Sequence, residues 1–177
     1  MKKSYLAGVL MVLIGCFSPG AEAQRTTQTN KTTPDTKQAN TIKVAREGVG
    51  FGGVVVGKST QADVIKKFGK DYKLKTHKKY SLQMVYANGL SFYICQSDKR
   101  KQVFDIELRV PFEAKTSKGI VLGKSTREDI EKIYGKQADG GLQYRGVSFF
   151  YAPYKGKKTV TVIDIVENSG IRQCDQQ

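Results

Sequence analysis

The chain has 177 residues, with 30 Lys or Arg against 16 Asp or Glu and a formal net charge of +14. Hydrophobic residues make up 39% and aromatic residues 10%, a globular composition too polar for a membrane channel and a length too short for a large multidomain enzyme. One His and three Cys leave little material for catalysis or metal binding, so the charge directs attention to nucleic acid, a negatively charged surface or an acidic protein.

Residues 1–23 read as a secretory signal. Lys2 and Lys3 form the positive start, an apolar run follows from Tyr5 to Phe17, and Pro19-Gly20 precedes Ala21-Glu22-Ala23, an Ala-x-Ala cleavage site. Cleavage there removes two lysines and one glutamate, so export does not account for the charge. The competing reading takes Leu13-Ile14-Gly15-Cys16 as a lipobox, with Cys16 lipidated and the protein held at a membrane only through that anchor. Either way two cysteines remain, Cys95 and Cys174, as one disulfide or as two unpaired thiols. Residues 24–47 are mostly Thr, Gln, Asn and Lys, cannot bury enough surface to offset their ordering entropy, and read as a disordered tether.

Beyond the tether the sequence repeats. Gly53-Val-Val-Val-Gly57-Lys58-Ser59-Thr60, followed by Asp63, Val64, Phe68 and Gly69, matches Gly119-Ile-Val-Leu-Gly123-Lys124-Ser125-Thr126, followed by Asp129, Ile130, Tyr134 and Gly135, at a constant spacing. The match resumes with Tyr86, Gly89, Ser91 and Phe92 against Tyr144, Gly146, Ser148 and Phe149, and with Asp105-Ile106 against Asp164-Ile165. This divides the chain into copy one, 48–113, and copy two, 114–177 with a C-terminal tail. Each copy predicts a short strand, Val54 to Val56 or Ile120 to Leu122, and a turn at Gly. A capped helix follows, with a capping box at Ser125-x-x-Glu128 and an apolar face of Val64 and Phe68 or of Ile130, Ile133 and Tyr134. Three antiparallel strands complete the unit. In copy one they are Leu82 to Tyr86, Leu90 to Cys95 and Val103 to Val110, with Asn88-Gly89 as a two-residue hairpin turn and Phe104, Ile106, Leu108 and Val110 alternating with Asp105, Glu107 and Arg109. The fold class is α+β, two tandem copies of a strand, a helix and a three-stranded meander, with the helix packed on one sheet face and the other face open.

Gly52 to Ser59 satisfies the phosphate-loop pattern G-x-x-x-x-G-K-[ST], but Val54-Val55-Val56 is a β-branched strand rather than a cradle, and copy two has Lys118 at the first Gly position. No nucleotide is therefore expected. His77 sits among Lys75, Lys78 and Lys79 with no neighbouring carboxylate to orient it as a base. The recurring aspartates read as helix and strand positions, and no His or Cys spacing fits a metal. The sequence supplies no catalytic residue, metal ligand or cofactor site.

The tandem Gly-x-x-x-Gly-Lys-Ser-Thr-x-x-Asp unit followed by a meander resembles the repeat of β-lactamase-inhibitor-like proteins and of the small SmpA/OmlA outer-membrane lipoproteins. That resemblance implies an exported, non-enzymatic protein that binds other proteins through its sheet face or loops. It names no target.

The copies differ in charge. Between positions 66 and 79 copy one carries Lys66, Lys67, Lys70, Lys73, Lys75, Lys78 and Lys79 against Asp71, on the helix and the loop after it, whereas the helix of copy two mixes both signs. Two hairpin tips are basic as well, Lys99-Arg100-Lys101 and the tip with Lys157 and Lys158. If Phe92 and Phe149 point inward, Tyr93 and Phe150 point to the opposite sheet face, which Arg109 shares, and would anchor a partner there unless packing between the copies covers them. The expected function is an exported binding module engaging a protein or an anionic envelope component through the open sheet face and basic loops. The alternatives are an envelope-assembly lipoprotein anchored at Cys16 or a binder of polyanions such as lipopolysaccharide or acidic glycan. Nucleic acid is disfavoured because the signal directs the chain outward and no recognition motif is present. Mass spectrometry of the mature N-terminus should find Gln24; a diacylated Cys16 would replace free export by the lipoprotein.

Overall fold

The computed structural model describes residues 42–77, 81–168 and Cys174. The signal, Cys16, the tether up to residue 41, Lys78 and Lys79 lie outside the described residues. The protein is α+β and mostly strand, with two helices among the described residues, and neither is long and apolar enough to cross a membrane.

The helices form where a Thr hydroxyl meets an Asp three residues on. In α1 (Gln61–Phe68) Thr60 Oγ1 accepts the Asp63 N–H at 3.3 Å and Asp63 Oδ2 accepts the Thr60 N–H at 2.8 Å; in α2 (Arg127–Tyr134) Thr126 and Asp129 do the same at the same distances. The expected capping box thus sits one residue later, at Thr126 and Asp129. Ser59 and Ser125 instead turn back, their hydroxyls accepting the Val55 and Val121 N–H at 2.9 and 3.0 Å. Gly69 and Gly135 end the helices at φ of 83° and 92°, a backbone region that L side chains avoid. Val64 and Ile130 are fully buried, but Ile133, expected on the apolar face, is 39% exposed.

The three antiparallel strands expected in copy one are present, and they join the strands that follow α2 in a single seven-stranded antiparallel sheet. Its strands are β4 (Tyr72–His77), β5 (Ser81–Tyr86), β6 (Leu90–Cys95), β7 (Val103–Arg109), β9 (Gln143–Tyr144), β10 (Val147–Tyr154) and β11 (Lys157–Val166), in the order β4-β5-β6-β7-β11-β10-β9. The join is β7 against β11. A smaller mixed sheet runs β3-β2-β1-β8, made of β1 (Lys43–Arg46), β2 (Gly50–Phe51), β3 (Val54–Val55) and β8 (Ala114–Thr116), with β1 parallel to β8. The turn between β5 and β6 takes three residues, Ala87 to Gly89, with Asn88 and Gly89 both at positive φ. Two further expectations fail. The tether ends earlier than 47, because Ala45 is fully buried and carries β1 into the small sheet; and Tyr72 to His77, read as basic loop, is an added edge strand.

Aromatic rings tie each helix to the large sheet. Phe68, Tyr86 and Phe92 have centroids 5.0–5.8 Å apart, Tyr134, Tyr144 and Phe149 5.0–6.1 Å, and the hydroxyls of Tyr86 and Tyr144 donate to the carbonyls of Gly69 and Gly135, both at 2.9 Å. Backbone pairing recurs as well. Gly57 N–H donates to Val103 O as Gly123 N–H does to Val160 O, at 2.7 Å in both; Val103 N–H donates to Ser59 O as Val160 N–H does to Ser125 O, at 2.8 Å. All these rings face one core with Met84, Ile106, Leu108, Ile163 and Ile165.

Glu47, in the turn after β1, clasps the small sheet to α2. Its carboxylate accepts from Ser117 Oγ, from the Lys118 N–H at 3.2 Å and from the Tyr134 hydroxyl at 2.5 Å, while Lys118 Nζ lies 4.6 Å over the Tyr134 ring. Burial pushes the Glu47 carboxyl up, but the hydrogen bonds from Ser117, Tyr134 and the backbone together outweigh it and hold the group below its ordinary 4.5. A depressed carboxyl stabilises the fold above its unfolded pKa and ceases to do so as pH falls through the folded value. Glu47→Gln should therefore cost about 1 kcal/mol in urea unfolding at pH 7, with the difference from the parent shrinking below pH 4.5; a gap that widens in acid would refute the clasp.

Candidate binding surface

One face of the large sheet is turned to the core. On the other, strand register sets side chains in rows, because paired Cα positions share a face. Ser91, Glu107, Asp164 and Ser148 form the central row across β6, β7, β11 and β10. Tyr93, Asp105 and Val166 lie to one side of it, and Arg109, Val162 and Phe150 to the other. Phe92, Tyr93 and Ile94 pair with Ile106, Asp105 and Val103 just as Phe149, Phe150 and Tyr151 pair with Ile163, Val162 and Val160. By that correspondence the counterpart of Asp164 is Glu107, not Asp105 as sequence matching had it, and these two carboxylates stand directly opposite each other.

Opposed carboxylates destabilise a sheet unless each has partners. Arg109 donates to both Glu107 oxygens, Nε to Oε1 at 3.2 Å and Nη2 to Oε2 at 3.0 Å. The Tyr93 hydroxyl donates to Glu107 Oε2 at 3.2 Å and accepts from Gln83 Nε2 at 3.0 Å, and the Ser148 hydroxyl lies 3.5 Å from Asp164 Oδ2. Burial, then the negative charges of Glu107, Asp105 and Asp164, push the Tyr93 phenol far up, so it stays a neutral donor. The hydrogen bond to Glu107 raises Arg109 further.

This face is not open at its centre. Ser91, Asp105 and Asp164 are buried, and Tyr93, expected to anchor a partner, is only 8% exposed. It packs with Cys95, Phe104 and Cys174, and Cys95 is disulfide-bonded to Cys174. The single pairing agrees with an oxidising compartment. Of the expected anchors Phe150 does reach the surface, 55% exposed, with the Arg109 side chain exposed in the same row.

The lysines fall elsewhere. Lys66 and Lys67 lie on α1, Lys70 follows it, and Lys73 and Lys75 alternate along β4; all five are exposed, and none makes an ion pair with a described residue. Beside β9, at the other end of the large sheet, no strand among the described residues stands where β4 stands beside β5. Lys99, Arg100 and Lys101 sit by the N-terminal end of α1, where Lys101 O accepts the Gln61 N–H at 3.0 Å. Lys157 and Lys158 are exposed at the start of β11, at the far tip of its hairpin with β10. Lys99, Arg100 and Lys101 line a groove with Gln61, Ala62 and Ile65 of α1, whereas Lys157 and Lys158, on a strand four places from β4 in the sheet, are not brought together with the α1–β4 group. Leu74 on β4 is 51% exposed, a feature sequence reading missed, although the alternation of Lys73, Leu74 and Lys75 could have marked a strand.

Among the described residues no group of three or more His, Cys, Asp or Glu could hold a metal ion. Compared with protein-family models, characterised proteins and solved structures, the chain matches none.

The disulfide closes a loop of 79 residues in sequence, so Cys174→Ser should lower stability by about 3–5 kcal/mol in the loop-entropy account. Urea unfolding of parent and variant with and without reductant checks this; equal midpoints for all four would show that the bridge contributes nothing.

Proposed function

We propose that the protein is an exported, non-enzymatic binding module built from two copies of one strand, helix and meander unit, and that it engages an acidic protein or another anionic envelope component through the basic surface of the first copy. The matched caps, ring triads and backbone hydrogen bonds of the two halves support the repeat, with Gly57, Ser59, Gly69, Tyr86 and Phe92 answering to Gly123, Ser125, Gly135, Tyr144 and Phe149. The resemblance to β-lactamase-inhibitor-like and SmpA/OmlA proteins stands with this proposal.

The observation that carries the functional reading is an asymmetry. Copy one adds β4, and five exposed lysines without ion pairs among the described residues line this strand and the end of α1. Unpaired like charges packed on one margin repel each other and are relieved by an anionic partner. Loss of the central sheet face to burial moves the contact from the open face to this margin, with Phe150 and Arg109 as a separate exposed pair.

Capture of the partner from envelope extract should weaken as salt rises. Neutralising Lys66, Lys67, Lys70, Lys73 and Lys75 to Gln should reduce capture about tenfold, and Lys157→Gln with Lys158→Gln should reduce it little. Capture unchanged by the five substitutions refutes the assignment. Loss of capture with the hairpin pair instead moves the site to that tip.

A further inference from the structure

Resting on that reading, we propose that β4 is a docking edge, where an extended acidic segment of a partner protein adds to the seven-stranded sheet as an eighth strand. Among the described residues β4 ends the sheet, so its outward backbone N–H and C=O groups have no ladder partner there. It pairs with β5 without a bulge from Tyr72 against Tyr86 to His77 against Ser81. The other end of the sheet, β9, has only two residues and offers no comparable edge.

The two faces of β4 define the chemistry of the added strand. Lys73 and Lys75 share the outer face with Val85 and Gln83, whereas Tyr72 and Leu74 share the core side with Tyr86 and Met84. Met84 is fully buried, but Leu74 beside it is 51% exposed, an apolar contact left unfilled at the margin of the core. A strand laid along β4 therefore places every second side chain against lysines and the alternate ones against Tyr72 and Leu74. It matches best when acidic and apolar residues alternate.

Two other occupants fit less well. A second copy of the chain would bring its own Lys73 and Lys75 against these, the arrangement by which edge lysines oppose sheet-to-sheet association. Residues 24–41 of this chain carry Arg25, Lys31 and Lys37 against Asp35 and hold no acidic and apolar alternation.

The test uses the full chain and a capped peptide of alternating Val and Glu, together with two backbone N-methylated forms, one methylated at the Val and one at the Glu positions. Titration should show the parent peptide binding. One methylated form should bind comparably and the other about tenfold or more weakly, because only one alternate set of amides faces β4. Amide exchange at positions 72–77 should slow on binding, and Lys73→Gln with Lys75→Gln should weaken the peptide several-fold. Equal affinity of both methylated forms, or unchanged exchange at β4, overturns strand addition; if the lysine substitutions still weaken binding, the basic-surface reading survives that failure. Failure of all three peptides to bind overturns strand addition, while the envelope capture decides the wider reading independently. Dimerisation through β4 in sedimentation would make a second copy the occupant and overturn the proposal.

Discussion

The pairing of β7 with β11 is the constraint on which the rest of the structure depends. Ile106 pairs with Ile165 and Leu108 with Ile163, and all four are fully buried. Complete burial of an aliphatic side chain contributes about 1.5–3 kcal/mol, and these four belong to one core cluster that also takes in Val64 of α1 and Ile130 of α2. Because side chains alternate along a strand, the same register puts Glu107 opposite Asp164 on the other face. A slip of β11 by one residue would separate the carboxylates but turn Ile163 and Ile165 out of the core and Asp164 into it. The hydrophobic term fixes the register, and polar partners accommodate the consequence: Arg109 on both oxygens of Glu107, the Tyr93 hydroxyl beside it, and Ser148 near Asp164.

That accommodation decides which surfaces remain free. Tyr93 is drawn into the polar network through its hydroxyl and into the disulfide cluster through its ring, so a residue with the composition of an anchor serves the interior. Its counterpart Phe150 has no hydroxyl and stays exposed. The corresponding positions of the two halves thus carry different work, and the exposed chemistry shifts to the margins: Phe150 and Arg109 in one row, and the lysines at the far end of the sheet.

Much of the fold was legible where local chemistry and core placement agree. Thr60, Asp63 and Gly69 bound α1, Thr126, Asp129 and Gly135 bound α2, and the alternation in β7 marks its buried face. Elements whose reason lies elsewhere in the chain were not legible. β1 reads as tether because Lys43 and Arg46 are polar, yet Ala45 is buried through pairing with β2 and with β8, some seventy residues on. Glu47 looked like the end of a spacer because its partners, Ser117, Lys118 and Tyr134, come from the other half. β4 escaped because its lysines were read for their charge, although Tyr72 and Leu74 alternate with Lys73 and Lys75 at the period of a strand. For the surface, clustering of the lysines could be read, but not that two of them alternate along a sheet edge, nor that Tyr93 is covered.

Charge at a free edge has two effects that differ only in the sign of what approaches. Lysines along β4 raise the free energy of pairing with any basic strand, including another copy of the same edge, and lower it for an acidic one. Leu74 adds an apolar contact that either strand would gain, so it supplies affinity without selectivity; the lysines supply selectivity. A strand whose only role was to close the sheet would gain by burying Leu74 or replacing it with a polar residue. Its exposure between two lysines is the combination that keeps the edge open to one class of strand and closed to its own kind.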